Sequence, residues 1–141
     1  MTDPVVLVSG ASRGLGAATA QIATGLGARV ALMARSTGDL EAVAQQIQAN
    51  GGQALVIAGD VRQAADCRRA VEATIERFGR LDAVINNAGI LEPMAPVAEA
   101  DPKAWENNWA VNVLGPFLLT QAALPHLREH QGQVLNVSSG A

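Results

Sequence analysis

A short apolar run, Val5-Val6-Leu7-Val8, gives way to Ser9-Gly10-Ala11-Ser12-Arg13-Gly14-Leu15-Gly16, and a helical pattern begins at once. A buried strand, a glycine turn and a helix N-terminus therefore succeed one another by residue 16. This order makes an anion site from backbone alone. A helix start leaves N–H groups unpaired and carries the positive end of the helix dipole. Glycines let a diphosphate approach those groups closely. The spacing, Gly10-x-x-x-Gly14-x-Gly16, is not the G-x-G-x-x-G form of the general dinucleotide fingerprint. Glycines also serve ordinary tight turns. Their position between a strand and a helix favours a nucleotide over a structural turn.

The alternation continues to the end of the chain. Leu15, Ala18, Ile22 and Leu26 fall on one helical face, and Gly27 sits where that helix would stop. Strands are expected at Val30–Met33, Ala54–Ile57, Ala83–Ile85 and Val134–Val137. Between them, Leu40, Val43, Ala44 and Ile47 stripe a second helix. Cys67, Ala70, Val71, Thr74 and Phe78 stripe a third, closed by Gly79. Residues 90–100, with Pro93 and Pro96, read as a loop. Asp101-Pro102 opens a fourth helix, with Asp as N-cap and Pro in the first turn, running with internal breaks toward Leu127. Near-continuous apolar strands separated by amphipathic helices imply a parallel sheet covered on both faces. The expected fold is thus α/β, a three-layer doubly wound parallel sheet, with ligands beyond the carboxyl ends of its strands.

The bulk composition excludes other classes. Hydrophobic residues make up 49% of the chain and charged ones 16%, so it is not disordered. With a net charge of −3 and no basic cluster, a nucleic-acid partner is not expected. The start, Met1-Thr2-Asp3-Pro4, lacks a signal-peptide pattern, and no uncharged apolar run is long enough for a membrane span. The single cysteine, Cys67, rules out an internal disulfide and fits a cytoplasmic location.

Polar and glycine groups recur at the strand ends. After the second strand, the place that often carries an acid for the ribose of NAD reads Met33-Ala34-Arg35-Ser36. Arg35 offers a guanidinium fork suited to a 2′-phosphate, and Arg13 could close on the same group. NADP is therefore expected over NAD, with two solvated surface arginines as the bland alternative. Asp60 can accept from an adenine amino group or cap the next helix. Asn86-Asn87-Ala88-Gly89 can tie strand ends together through asparagine while keeping the backbone open for a flat ligand.

Together these pieces resemble the short-chain dehydrogenase/reductase family. The matches are Ser9–Gly16, Asp60-Val61, Asn86–Gly89, Asn112 in Val111-Asn112-Val113, and Asn136-Val137-Ser138-Ser139. They occur in family order from end to end, with Ser9 standing where threonine is commoner. The resemblance implies a Rossmann-like NADP domain and hydride transfer between NADPH and a small carbonyl or alcohol substrate. It assigns the pyrophosphate to Gly10, Ser12, Arg13, Gly14, Leu15 and Gly16. Arg13 and Arg35 look like the NADP-preferring members. Asp60 and Val61 would hold adenine, and Asn86, Ala88 and Gly89 would hold the adenosine ribose region. Ser139 matches the catalytic serine, ahead of Ser138. Asn112 matches the asparagine whose carbonyl holds a water of the proton relay. Homodimers or homotetramers through the fourth helix are implied too.

Asn112 allows an independent check. Pro116, four residues on, has no N–H and clashes with the carbonyl of Asn112, so a kink that frees this carbonyl is expected. Three other features take structural readings. Trp105 and Trp109 are expected against the core or a subunit neighbour. His126 and His130 have metal-pair spacing without a third ligand. Cys67 reads as a small helix residue.

The family's Tyr-x-x-x-Lys element has no match, since the chain has no tyrosine. A missing general acid costs about 10²–10⁴ in rate. The expectation is a domain spanning 1–141 that is incomplete on its C-terminal side and inactive alone. Its fifth strand would form an exposed edge. The alternatives are a non-catalytic dinucleotide-binding module or a nonfunctional truncation product.

Overall fold

Strand side chains alternate between two faces, and in the central strands both faces find partners. The computed structural model describes residues 3–139. Met1-Thr2 and Gly140-Ala141, which enter the readings of the two termini, lie outside the described residues. The elements run β1 (Val5–Ser9), α1 (Gly14–Gly25), β2 (Arg29–Ala34), α2 (Thr37–Ala49), β3 (Ala54–Ala58), α3 (Ala64–Phe78) and β4 (Ala83–Asn86). A 3-10 turn (Val97–Glu99) leads to α4 (Pro102–Trp109), a π turn (Ala110–Leu114), α5 (Gly115–Glu129) and β5 (Gln133–Asn136). The five strands form one parallel sheet in the order β3-β2-β1-β4-β5.

Alternation splits the core into two layers. Val5 and Leu7 of β1 with Ala31 and Met33 of β2 pack on one side with α3 and α5, through Val71, Phe78, Leu119 and Leu127. Val8 with Val30 and Leu32 packs on the other with α1 and α2, through Ala17, Ala20, Leu40 and Ile47. Each fully buried aliphatic contributes about 1.5–3 kcal/mol. The expected doubly wound α/β sheet is the fold observed.

The stripes read for α2 and α3 are the buried faces of those helices. Gly79 ends α3 in the left-handed region at φ 82° and donates to the Ile75 carbonyl. The stripe read for α1 is corrected. Leu15, Ile22 and Leu26 are exposed, and the buried residues are Gly16, Ala17 and Ala20. The cause is close approach: a Cβ at Gly16 would lie 2.2 Å from the Gly10 carbonyl oxygen. The tight side of α1 selects the smallest residues, whereas the sequence pattern marks the largest.

Asp101 caps α4 as expected, accepting from the Lys103 N–H, with Pro102 in the first turn. The expected kink before Pro116 takes another form. The chain stays helical and absorbs the proline through the π turn, where Gly115 N–H donates to the Ala110 carbonyl five residues back. Trp105 and Trp109 are exposed and do not pack against the core. β5 forms an edge of the sheet, and its four residues are exposed.

Candidate functional site

β1 leads to β2 on one side and lies beside β4 on the other, so the strand order reverses between β1 and β4. Ligands of such sheets bind at this switch point, beyond the carboxyl ends. Ser9 closes the junction there. Its buried hydroxyl accepts from the backbone N–H of Asn87 at 3.0 Å and of Ala88 at 3.1 Å. Its own proton points toward the Ile85 carbonyl at 3.5 Å. From the other strand, Asn87 Nδ2 donates to the Gly10 carbonyl at 3.1 Å. Gly10, at φ 63°, passes so near Ala88 that a Cβ would sit 2.8 Å from its Cα. Only glycine meets both demands.

A cleft of about 400 Å³ opens beside this junction. Gly10, Ser12 and Arg13 line it from the end of β1, and Arg35 from the end of β2. Asp60 and Val61 follow β3, while Ala88 and Gly89 follow β4. Eight of the residues singled out from the sequence thus meet in one place. Gly14, Leu15 and Gly16 form the start of α1 next to it. A Cβ at Gly14 would meet nothing within 4 Å, so the turn is open on that side.

Asn86 sits behind the wall of the cleft. It is 3% exposed, and its Nδ2 donates to Asn136 Oδ1 at 2.8 Å and Thr120 Oγ1 at 3.2 Å. Asn112 also stands back, within the π turn. Its Oδ1 accepts from Ile90 N–H at 2.8 Å and its Nδ2 donates to the Ile90 carbonyl at 2.7 Å. Asn108 reaches the Glu92 carbonyl at 2.7 Å. These amides fix the loop after β4. Ser139 is exposed, just beyond the carboxyl end of β5.

Charge is unevenly distributed over the cleft. Arg13 and Arg35 are exposed, and their guanidinium groups make no hydrogen bond or ion pair among the described residues. Asp60, by contrast, is engaged. Both its carboxylate oxygens face the Arg62 guanidinium, with Nη2 at 2.6 Å and Nε at 3.0 Å. The Arg62 hydrogen bond holds the Asp60 carboxyl below its ordinary range against the opposing effect of burial. Asp60 does not cap α3, whose N-cap is Gln63. On α3, burial pushes the Cys67 thiol up to about 11, and the residue is fully enclosed.

Sequence reasoning overlooked the contacts of Ser9, Arg62 and Asn107–Asn108, whereas the expected tie through asparagine is made by Asn87 to the Gly10 carbonyl. Ser9 lies inside a recognised motif, but its contacts cross between strands and leave no local spacing. The polar run Asn107-Asn108 was the visible signal for α4.

The family model for short chain dehydrogenase matches residues 4–141. An uncharacterised oxidoreductase of Methylorubrum extorquens is 43% identical over 136 residues, covering 96% of this chain and 54% of that protein. The crystal structure of a metagenomic short-chain oxidoreductase in complex with NADP superposes with a TM-score of 0.92 at 36% identity, covering 99% of this chain and 63% of that one. A 3-ketoacyl-ACP reductase from Sinorhizobium meliloti superposes with a TM-score of 0.93 at 37% identity, over 96% of this chain and 54% of that one. The chain spans about half the length of the curated relatives it matches. With its parallel sheet, switch-point cleft and glycine turn, the chain belongs to the short chain dehydrogenase family of oxidoreductases.

Proposed function

We propose that this chain is the cofactor-holding part of an NADP-dependent oxidoreductase that transfers hydride between NADPH and a small carbonyl or alcohol substrate. The observation that carries this reading is the pair of unengaged guanidinium groups, Arg13 and Arg35, on the rim of the switch-point cleft. The end of β2 offers no carboxylate to a ribose. Asp39, on the same rim, belongs to α2 and accepts from the Ser36 hydroxyl at 3.1 Å. A 2′-phosphate matches the two free forks better than a bare ribose does, which favours NADP over NAD. The superposed metagenomic relative holds NADP, in support of this choice.

The residues present fit such a group. The open turn from Gly10 through Ser12, Gly14, Leu15 and Gly16 offers helix N-terminal N–H groups to a diphosphate. Asp60 and Val61 would meet the adenine, and Ala88 and Gly89 the ribose side. Asn86 would act from behind, holding the end of β4. When bound, the cofactor supplies or accepts the hydride. Ser139 would donate a hydrogen bond to the substrate oxygen, and the Asn112 carbonyl would hold a water. Pro116 has no N–H to offer that carbonyl. With no tyrosine in its 141 residues, the chain is assigned binding and positioning, and no proton donor. Trp105, Trp109, Val113 and Phe117, four residues apart and exposed, support self-association through α4 and α5. None of the described helices is long and apolar enough to cross a membrane.

Fluorescence titration tests the reading. NADPH should bind at least about tenfold more tightly than NADH, since hydrogen bonds to charged groups contribute about 1.5–3 kcal/mol. Arg35→Ala should erase that preference and leave NADH binding unchanged. Equal binding of both cofactors by the unaltered chain would overturn it.

A further inference from the structure

Arg62 lies outside the cleft, yet its contacts converge on the one acidic side chain that follows β3 into it. The fork grips both oxygens of Asp60 from behind, and the Arg62 backbone N–H adds a third contact to Oδ1 at 2.9 Å. The backbone N–H of Asp60 is held in turn by Asp66 Oδ2 at 2.8 Å. The other end of the guanidinium does not dangle in solvent. Arg62 Nη1 donates to Asn107 Oδ1 on α4. The neighbouring Asn108 and Asn112 grip the opposite wall of the cleft, at Ile90 and Glu92. The asparagines of α4 and the π turn thus brace both walls, the post-β3 loop through Arg62 and the post-β4 loop directly.

We propose that Arg62, braced by Asn107, is a positioning residue that aims the Asp60 carboxylate at the exocyclic amino group of the bound nucleotide's base. This rests on the reading of the cleft as an adenine dinucleotide site. A carboxylate has about four lone-pair directions. The backbone and fork of Arg62 occupy most of them and leave room for about one more donor, and Asp60 lines the cleft while Arg62 does not. A bidentate fork also fixes the plane of the carboxylate, which a lysine ammonium cannot do. A free Asp60 could instead turn toward Arg35, whose charge already acts on it. It would then compete with a phosphate for that arginine.

The experiment compares NADPH with its hypoxanthine analogue, in which a carbonyl oxygen replaces the adenine amino group. Binding of each to the full chain is titrated by fluorescence. The unaltered chain should favour NADPH by about tenfold, the scale of one hydrogen bond to a charged acceptor. Asp60→Ala should abolish that discrimination. Arg62→Met should reduce it to within about twofold, and Arg62→Lys should restore only part of it. If Asp60→Ala loses discrimination and Arg62→Met keeps it, the site reading stands and the role of Arg62 is overturned. If Asp60→Ala also keeps it, the contact to the base fails and the proposal with it. Should Arg62→Met not fold, Asn107→Ala is read in its place. Lost discrimination there supports the brace, and full retention overturns it.

Discussion

The Ser9 hydroxyl oxygen lies 3.0 Å from the backbone nitrogen of Asn87, across the junction where the sheet reverses its winding. One side chain on β1 thereby sets the course of the chain leaving β4. Ser9→Ala should leave two N–H groups without their acceptor, at about 1–3 kcal/mol of stability. Urea unfolding would measure the loss, and NADPH titration would show weaker binding. Ser9→Thr, which keeps the hydroxyl, should retain more of both.

The glycines of the turn should separate under substitution. Gly16→Ala places a Cβ 2.2 Å from the Gly10 carbonyl oxygen and 2.5 Å from Asn87 Nδ2. Backbone must move, so the variant should lose NADPH binding and melt well below the parent. Gly14→Ala meets no atom and incurs only the left-handed backbone strain at φ 58°, about 1–2 kcal/mol. Circular dichroism melts of the two variants, side by side, check the difference.

Asp82 joins the opposite ends of the strands. Its Oδ2 accepts from the Val5 N–H at 2.8 Å, and Arg80 binds both oxygens. Burial opposes the charged form, but Arg80 and the Val5 N–H outweigh it and lower the pKa below 3.8. For a lowered carboxylate, the stabilisation is fully present above the unfolded pKa and disappears as pH falls through the folded one. Stability should therefore drop below about pH 4. Asp82→Asn should be less stable at pH 7 and show a shallower acid limb in urea titrations from pH 7 to 3.

Cys67 should be silent toward thiol reagents in the folded chain. Its thiol is fully buried and titrates at about 11, so little thiolate exists at pH 8. A disulfide-exchange reagent should react only at the rate of unfolding, and at once in denaturant. Rapid labelling without denaturant would contradict the burial.

Much of the fold was legible because parallel strands buried on both faces announce themselves as apolar runs. The stripes of α2 and α3 were readable for a similar reason, as their buried residues are mostly apolar and stand among charged and amide neighbours. The stripe of α1 misled because proximity to the sheet, not hydrophobicity, decides which residues face inward there. At the cleft, Arg35 and Asp60 were legible because a strand end places its next residues at the site whatever follows. The roles of Ser9, Arg62 and Asn112 were not. Each depends on a partner 78, 45 or 22 residues away in sequence, and no local pattern encodes such a distance. Asn86 shows the converse. Its motif announced a tie between strand ends, and its amide makes that tie to Asn136 on β5 and adds Thr120 on α5.

The π turn at Ala110–Leu114 sets an angular phase between the two helices it joins. A regular helix advances about 100° per residue, so one surplus residue in a wide turn resets which directions α4 and α5 share. With that offset, Asn107 and Asn108 face the cleft walls while Leu119, Ala123 and Leu127 face the core. Deleting a single residue from the turn would leave both helices intact and rotate one against the other. Either the brace or the core would then lose its alignment, so the length of this segment is constrained as tightly as any of its side chains.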